Sequence, residues 1–254
     1  MSRFYLKVLH FDFETTSIFY TIVKFSNFQQ IVSEDRLQRY VKACDGNQAK
    51  AIVLYRRNVA VSLEMFAVVG AFEIALRNSI DRVMKSNFGD DWLRNAILPG
   101  GIFDTPSCRD HARIIRSAYE KLNRQGRYTH THLLSKMEFG IWKYMFSSPQ
   151  FRAANRVLLQ AFPNKPTSTR EVQYNNTFIF NELDHVNSLR NRIAHHEPIC
   201  FPTGHATITT SYIHFIYNKI MILFDWLGID AQNYLLGLDH VNRLCHLICQ
   251  TSKP

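Results

Sequence analysis

From Ser26 onward, the apolar residues of this chain recur every three or four positions, the period of a helix that buries one face. Strand-like alternation is confined to residues 1–25, an aromatic and β-branched stretch that reads as a short strand pair or an extension ahead of the domain. That pattern predicts an all-α fold over 26–254, a helical bundle with short connections. Ser33 followed by Glu34 and Asp35 starts one helix, which Asp45-Gly46-Asn47 ends. A second pattern covers 48–87 and closes at Asn87-Phe88-Gly89; its length predicts a break near Asn58. Pro99-Gly100-Gly101 marks a loop over 88–105. Further helices are expected over about 106–125, 132–146, 150–161, 170–195, 208–228 and 238–250, with a linker at 163–169.

The formal net charge of +9 favours anionic partners, nucleic acid first and acidic membrane second. The five cysteines are odd in number and form no CxxC, which fits thiols in a reducing cytosol better than disulfides. Asp12 and Glu14 interrupt the apolar N-terminus, so it does not read as a signal peptide. The most apolar stretch, Val59 to Leu76, carries Glu64 and Glu73 and is not expected to span a membrane. The expectation is a soluble cytoplasmic protein.

Two charges fall on stripes that ought to be buried. Phe66, Val69, Leu76 and Ile80 recur at helical spacing, and Glu73 sits inside their row. Ile179, Leu183, Val186 and Ile193 form another stripe, and Arg190 sits inside it. A buried lone charge costs several kcal/mol, so each requires an opposite charge, an anionic ligand or a wet cleft. The economical arrangement sets Glu73 against Arg190 across packed helices; replacing Glu73 by Gln is then expected to damage both activity and stability.

Pro198 cannot continue a helix and disfavours helical geometry at Glu197, so the second stripe's helix should end near His195-His196. Histidine exchanges a proton near neutral pH, and a helix C-terminus favours its charged form. Arg190 and His195 are about 140° apart on an ideal helix. Either the last turn is distorted or groups from elsewhere complete the site. Asn187, Asn191 and His195 do share one row.

Arginine offers a planar fork of donors that matches phosphate, and histidine offers proton transfer. Together they suit RNA cleavage by the ribose 2′-hydroxyl with no metal and no cofactor. HExxH is not met, since Pro198-Ile199-Cys200 follow His196-Glu197. No Cys/His cluster has zinc-finger spacing, and no GxxxxGK[ST] or GxSxG occurs.

The segment Leu189-Arg190-Asn191-Arg192-Ile193-Ala194-His195-His196-Glu197-Pro198 resembles the Arg-x4–6-His motif of the HEPN superfamily. Its double histidine resembles the Abi-like (abortive infection) group, of AbiD and AbiF types. SEDRLQRYV at 33–41, ALRNSID at 75–81 and LSKMEFGIWKYMF at 134–146 also resemble that group, so the likeness spans roughly 26–250. The resemblance implies a helical bundle that homodimerises to bring two motif helices together. It also implies metal-independent endoribonuclease activity leaving a cyclic phosphate and a 5′-hydroxyl. A toxin role in phage defence would follow, with a small structured RNA or another antitoxin-like partner as restraint. Arg190 and His195 would be the catalytic pair, Asn191 their support and His196 an assisting residue. Glu73 and Arg77 fall where the group carries a polar pair. A homodimer with both His195 side chains near its axis would also answer the 140° separation.

Arg109, Arg113, Arg116, Arg124 and Arg127, with Lys121 adjacent, form the densest basic stripe. Tyr119 and Tyr128 lie near it, and aromatic rings stack on unpaired bases. The stripe is therefore the candidate RNA-binding face. Two other readings remain open: an RNA-binding regulator that uses the same site without cleavage, and a metal-dependent phosphohydrolase.

Overall fold

The computed structural model describes residues 24–251, so the expected extension at 1–25 lies almost wholly outside the described residues. These residues form twelve α-helices with two short 3₁₀ turns and no strand, as the helical period requires.

Helix α1 (Phe25–Val32) and α2 (Glu34–Ala43) lead into α3 (Gln48–Phe88). Ser33 caps α2 by accepting from the Arg36 backbone N–H, and Asn47 caps α3 by accepting from that of Lys50. Helix α3 continues for 41 residues, a length of about 60 Å at 1.5 Å per residue. The break expected near Asn58 does not occur. Asn58 is buried and its side chain bonds outside its own helix, so nothing competes with the α3 backbone ladder.

Short α4 (Trp92–Asn95) precedes the glycine turn, in which a side chain at Gly101 would collide with the Asn95 carbonyl oxygen at 2.2 Å. Helix α5 (Arg109–Arg124) follows a 3₁₀ turn at Pro106–Cys108. The single helix expected over 132–146 is instead two, α6 (His130–Ser135) and α7 (Phe139–Tyr144), with Glu138 extended between them. The pattern over 150–161 is likewise divided. Helix α8 (Ser148–Ala153) stops where Asn155 and Arg156 take positive φ, and a 3₁₀ turn at Val157–Ala161 follows. Helix α9 (Asn176–Ala194) starts later than expected. Before it, Thr169 and Ser168 side chains hold the backbone N–H groups of Val172 and Tyr174 at 3.0 Å, a turn that competes with helix. The last helices are α10 (Ser211–Trp226), α11 (Ala231–Tyr234) and α12 (Val241–Thr251).

Helix α3 is the mast of the bundle, with α2, α9, α10 and α12 packed along it. Phe72 at its middle meets Phe224 of α10 edge-on at 5.3 Å and Phe139 of α7 at 6.3 Å. Val61, Met65, Val68, Leu76 and Ile80 are fully buried in the same core. By length and composition α3 is apolar enough to cross a bilayer, despite Glu64 and Glu73. Further along, Asp81 accepts from Trp92 Nε1 at 2.8 Å, pairs with Lys85 at 2.8 Å and lies 2.7 Å from His130 Nε2. Burial pushes the Asp81 carboxyl up, but the bonds to His130, Lys85 and Trp92 outweigh it and hold it at about 2. That cluster ties α3 to α4 and α6 and fixes the segment that leads into α7.

Candidate functional site

Helix α9 buries Ile179, Leu183, Val186, Leu189 and Ile193 against the core. Its ladder is regular through the His195 N–H, which donates to the Asn191 carbonyl at 2.9 Å. The chain then reverses. The His196 N–H donates to the Ile193 carbonyl at 2.9 Å, and the Glu197 N–H to the Arg192 carbonyl at 2.8 Å. This is the Schellman pattern, with His196 at φ 56° in the left-handed position that glycine usually takes. The last turn is therefore not distorted, and the wide angle between Arg190 and His195 stands.

Arg190 leaves the helix toward α3 and α7. Its side chain is 29% exposed, and its Nη2 lies 3.9 Å from Glu138 Oε2. Its Nη1 reaches Asn191 Oδ1 at 3.5 Å. Glu73, half-buried on α3, faces the same group. Burial raises its carboxyl above the ordinary range, opposed by Arg190 and then Arg77. The expected pairing of Glu73 with Arg190 is thus electrostatic. No contact ion pair joins them among the described residues, and Glu138 is the carboxylate nearest the arginine. Glu138 is not legible in the sequence pattern. It falls between two short helices where the period predicts one long helix, which hides its direction. Arg77 turns its Nε toward Asn78 Oδ1 at 3.3 Å. Phe66 also departs from its expected stripe. It is half-exposed, whereas Val69, Leu76 and Ile80 are buried.

His195, His196 and Asn191 are exposed. Residues Ile193, Ala194 and His196 border a cleft of about 580 Å³ whose other wall is α3 and the α1–α2 corner. Ile31, Val59, Leu63 and Phe66 give that wall an exposed apolar surface, with Leu63 65% exposed. His195 and Arg190 therefore belong to two sides of the helix end. The fold brings Arg190, Glu73, Arg77 and Glu138 together and leaves His195 exposed outside that group.

The turn itself is held from four directions. Asn58 Oδ1 accepts from the backbone N–H groups of Ile199 and Cys200, at 2.9 and 3.1 Å. Arg36 donates to the His196 carbonyl at 2.9 Å. Arg39 donates to the carbonyls of His205, at 2.7 Å, and Pro202. Arg192 donates to the Pro198 carbonyl at 2.6 Å and sits 4.8 Å from the Tyr212 ring centre. A buried asparagine inside an apolar helix stripe is the sequence signal for this clamp. Its partners lie 141 and 142 residues away, so from sequence alone it reads as a helix break.

On α5, Arg109, Arg113, Arg116, Lys121 and Arg124 are exposed, and Arg127 follows the helix beyond Gly126. They are not equivalent. Arg116 donates to the Ile97 carbonyl at 2.8 Å and anchors the preceding loop. Arg113 pairs with Asp110 at 3.4 Å on an open surface. Tyr119 and Tyr128 stack edge-on against each other at 5.2 Å, and Tyr128 donates to Asp91 at 2.7 Å, so both serve packing. Among the described residues no three His, Cys, Asp or Glu side chains are placed to share a metal ion. No family model, curated protein or solved structure matches this chain.

Proposed function

We propose that the chain is a metal-independent endoribonuclease of HEPN-like bundle architecture, acting as an Abi-like toxin in phage defence. The observation that carries this reading is Arg190, half-buried near two carboxylates and five residues before an exposed histidine at a helix end. With only long contacts to Glu138 and Asn191, its fork is open to exchange a carboxylate for a phosphate. His195 takes the 2′-hydroxyl proton or returns one to the leaving 5′-oxygen. Arg190 offsets the charge that develops on the phosphate as the 2′-oxygen attacks, leaving a cyclic phosphate and a 5′-hydroxyl. Asn191 braces Arg190, and His196 assists. Since Arg190 and His195 diverge on one helix, the working site combines two copies of the chain. The exposed Leu63 and Phe66 surface beside His196 supports a second copy seated there. A small structured RNA or an antitoxin-like partner would restrain the enzyme.

One observation favours a second reading, an RNA-binding regulator that does not cut. Glu138 and Glu73 both face Arg190, competing with a phosphate for it, as a binding site without turnover would tolerate.

The test is incubation of the purified chain with RNA in excess chelator, beside Arg190→Ala and His195→Ala. Chelator-resistant cleavage that falls by about 100-fold or more in each variant is expected, from a dimer in sedimentation. Binding without cutting overturns the nuclease reading. Loss of cutting in chelator replaces it with metal-dependent hydrolysis. A monomer with full activity removes the two-copy site.

A further inference from the structure

Between the first turns of α5 and the α6–α8 segment lies a cavity of about 730 Å³, within the range of small-ligand sites. Ile114 and Ile141 give it apolar walls, and Tyr144, 48% exposed, adds an aromatic ring that packs edge-on with Phe180 and carries Lys143 Nζ 4.5 Å over one face. Its rim carries Arg109 and Lys136 as cations and Asp110 and Glu138 as carboxylates. Two features tie it to other parts of the protein. Glu138 is the residue that stands 3.9 Å from Arg190. Ile114 and Lys136 also line an adjoining cleft of about 510 Å³, to which Lys121, Arg127 and His132 contribute. The two adjoin along α5 across Ile114 and Lys136, with Lys121 and Arg127 in the second and Glu138, the neighbour of Arg190, in the first.

We infer that this cavity is a recognition pocket for one unpaired guanine nucleotide of an RNA strand lying along the two. The inference deepens the ribonuclease reading and rests on it for RNA as the ligand. A flat ring fits between apolar walls and an aromatic ring, which is how proteins hold splayed-out bases. The carboxylates choose the base. Guanine presents two adjacent N–H donors on its pairing edge, which one carboxylate accepts together. Uracil presents a single N–H between two carbonyl oxygens that a carboxylate repels. Arg109 and Lys136 meet the phosphates on either side, and Lys121 and Arg127 carry the strand onward. With the base against Glu138, the adjoining phosphate comes within reach of Arg190. His111 is a further mark of a functional cavity: it is 5% exposed, borders this space, and leaves its Nε2 without a hydrogen-bond partner among the described residues.

The test uses the full chain carrying His195→Ala, in chelator, with fluorescently labelled ten-nucleotide RNAs: all uridine, or uridine with one central guanine, adenine or cytosine. The guanine strand is expected to bind about 10-fold more tightly than the uridine strand. Glu138→Gln should erase that preference. Tyr144→Leu, which keeps apolar volume but removes the ring, should weaken the guanine strand by about 10-fold. Both side chains are exposed enough for the variants to fold, which thermal unfolding checks. A parent with no guanine preference, or a preference that survives Glu138→Gln, overturns the pocket. So does failure to bind any of these strands. The two proposals fail separately: guanine-selective binding by a chain that never cuts removes the nuclease and leaves the pocket. Cutting that ignores base identity and both variants removes the pocket and leaves the nuclease.

Discussion

The turn after α9 and the outer face of α5 are both rich in arginine, and they use it in opposite ways. Around the turn, Arg36, Arg39 and Arg192 give their N–H groups to backbone carbonyls, fixing a reversal that would otherwise be an open loop. On α5, Arg109 and Arg124 make no hydrogen bond or ion pair among the described residues, and Arg113 has only an open-surface pair. The net charge of +9 therefore overstates the charge ready for a ligand. Part of it is structural, and that part surrounds the candidate histidines. The difference shows that a basic composition divides into guanidinium groups that shape the site and guanidinium groups left open to solvent on α5.

Breaking the first region is expected to have the largest effect. Asn58→Ala strands two buried N–H groups at the turn, at about 1–3 kcal/mol each. At about 2–4 °C per kcal/mol for a chain of this size, the unfolding midpoint should fall by roughly 4–24 °C, and the proposed RNA cleavage should fall with it. An unchanged midpoint in calorimetry would show that the turn is not held from α3.

Glu73→Gln separates site from scaffold. Because burial raises the Glu73 carboxyl, the folded state holds that proton more tightly than the unfolded chain. Its contribution is thus present at low pH and lost as pH rises through the raised value. At neutral pH the amide should leave stability unchanged or higher by a few tenths of a kcal/mol, contrary to the loss expected from a contact pair, and flatten its dependence on acid pH. Cleavage should still fall by about 10-fold. Stability curves across acid and neutral pH, set beside rates, check both halves.

The smallest effect distinguishes arginines within α5. Arg113→Ala with Arg124→Ala should lower the slope of log binding constant against log salt by about 0.7 for every single-strand phosphate that is no longer neutralised. Arg116→Ala should leave the slope alone and instead loosen the loop held at Ile97. Equal slopes in all variants would reduce α5 to a solvated face.

The all-α class and the position of most helices are legible in the sequence because burial on one face imposes the 3.6-residue period wherever a helix packs. The end of α9 is legible because Pro198 acts locally. What escapes is non-local. Asn58 reads as a flaw in α3 until the chain near Ile199 is beside it. Glu138 reads as one exposed position on a long helix until that helix divides at Met137-Glu138. The Glu73 and Arg190 stripes are visible from period alone. Their separation is not, because period gives direction and not distance.

Helix α3 has one further consequence. Asn58, Glu73 and Asp81 are teeth on a single uninterrupted rod, each engaging a different part of the molecule: the motif turn, the arginine cluster and the α4–α6 corner. Their phases are locked together. One residue added between Asn58 and Glu73 turns one tooth about 100° against the other two and shifts it about 1.5 Å. The length of α3 between these points is thus a calibrated dimension, setting how the histidine turn and the arginine cluster are placed relative to each other.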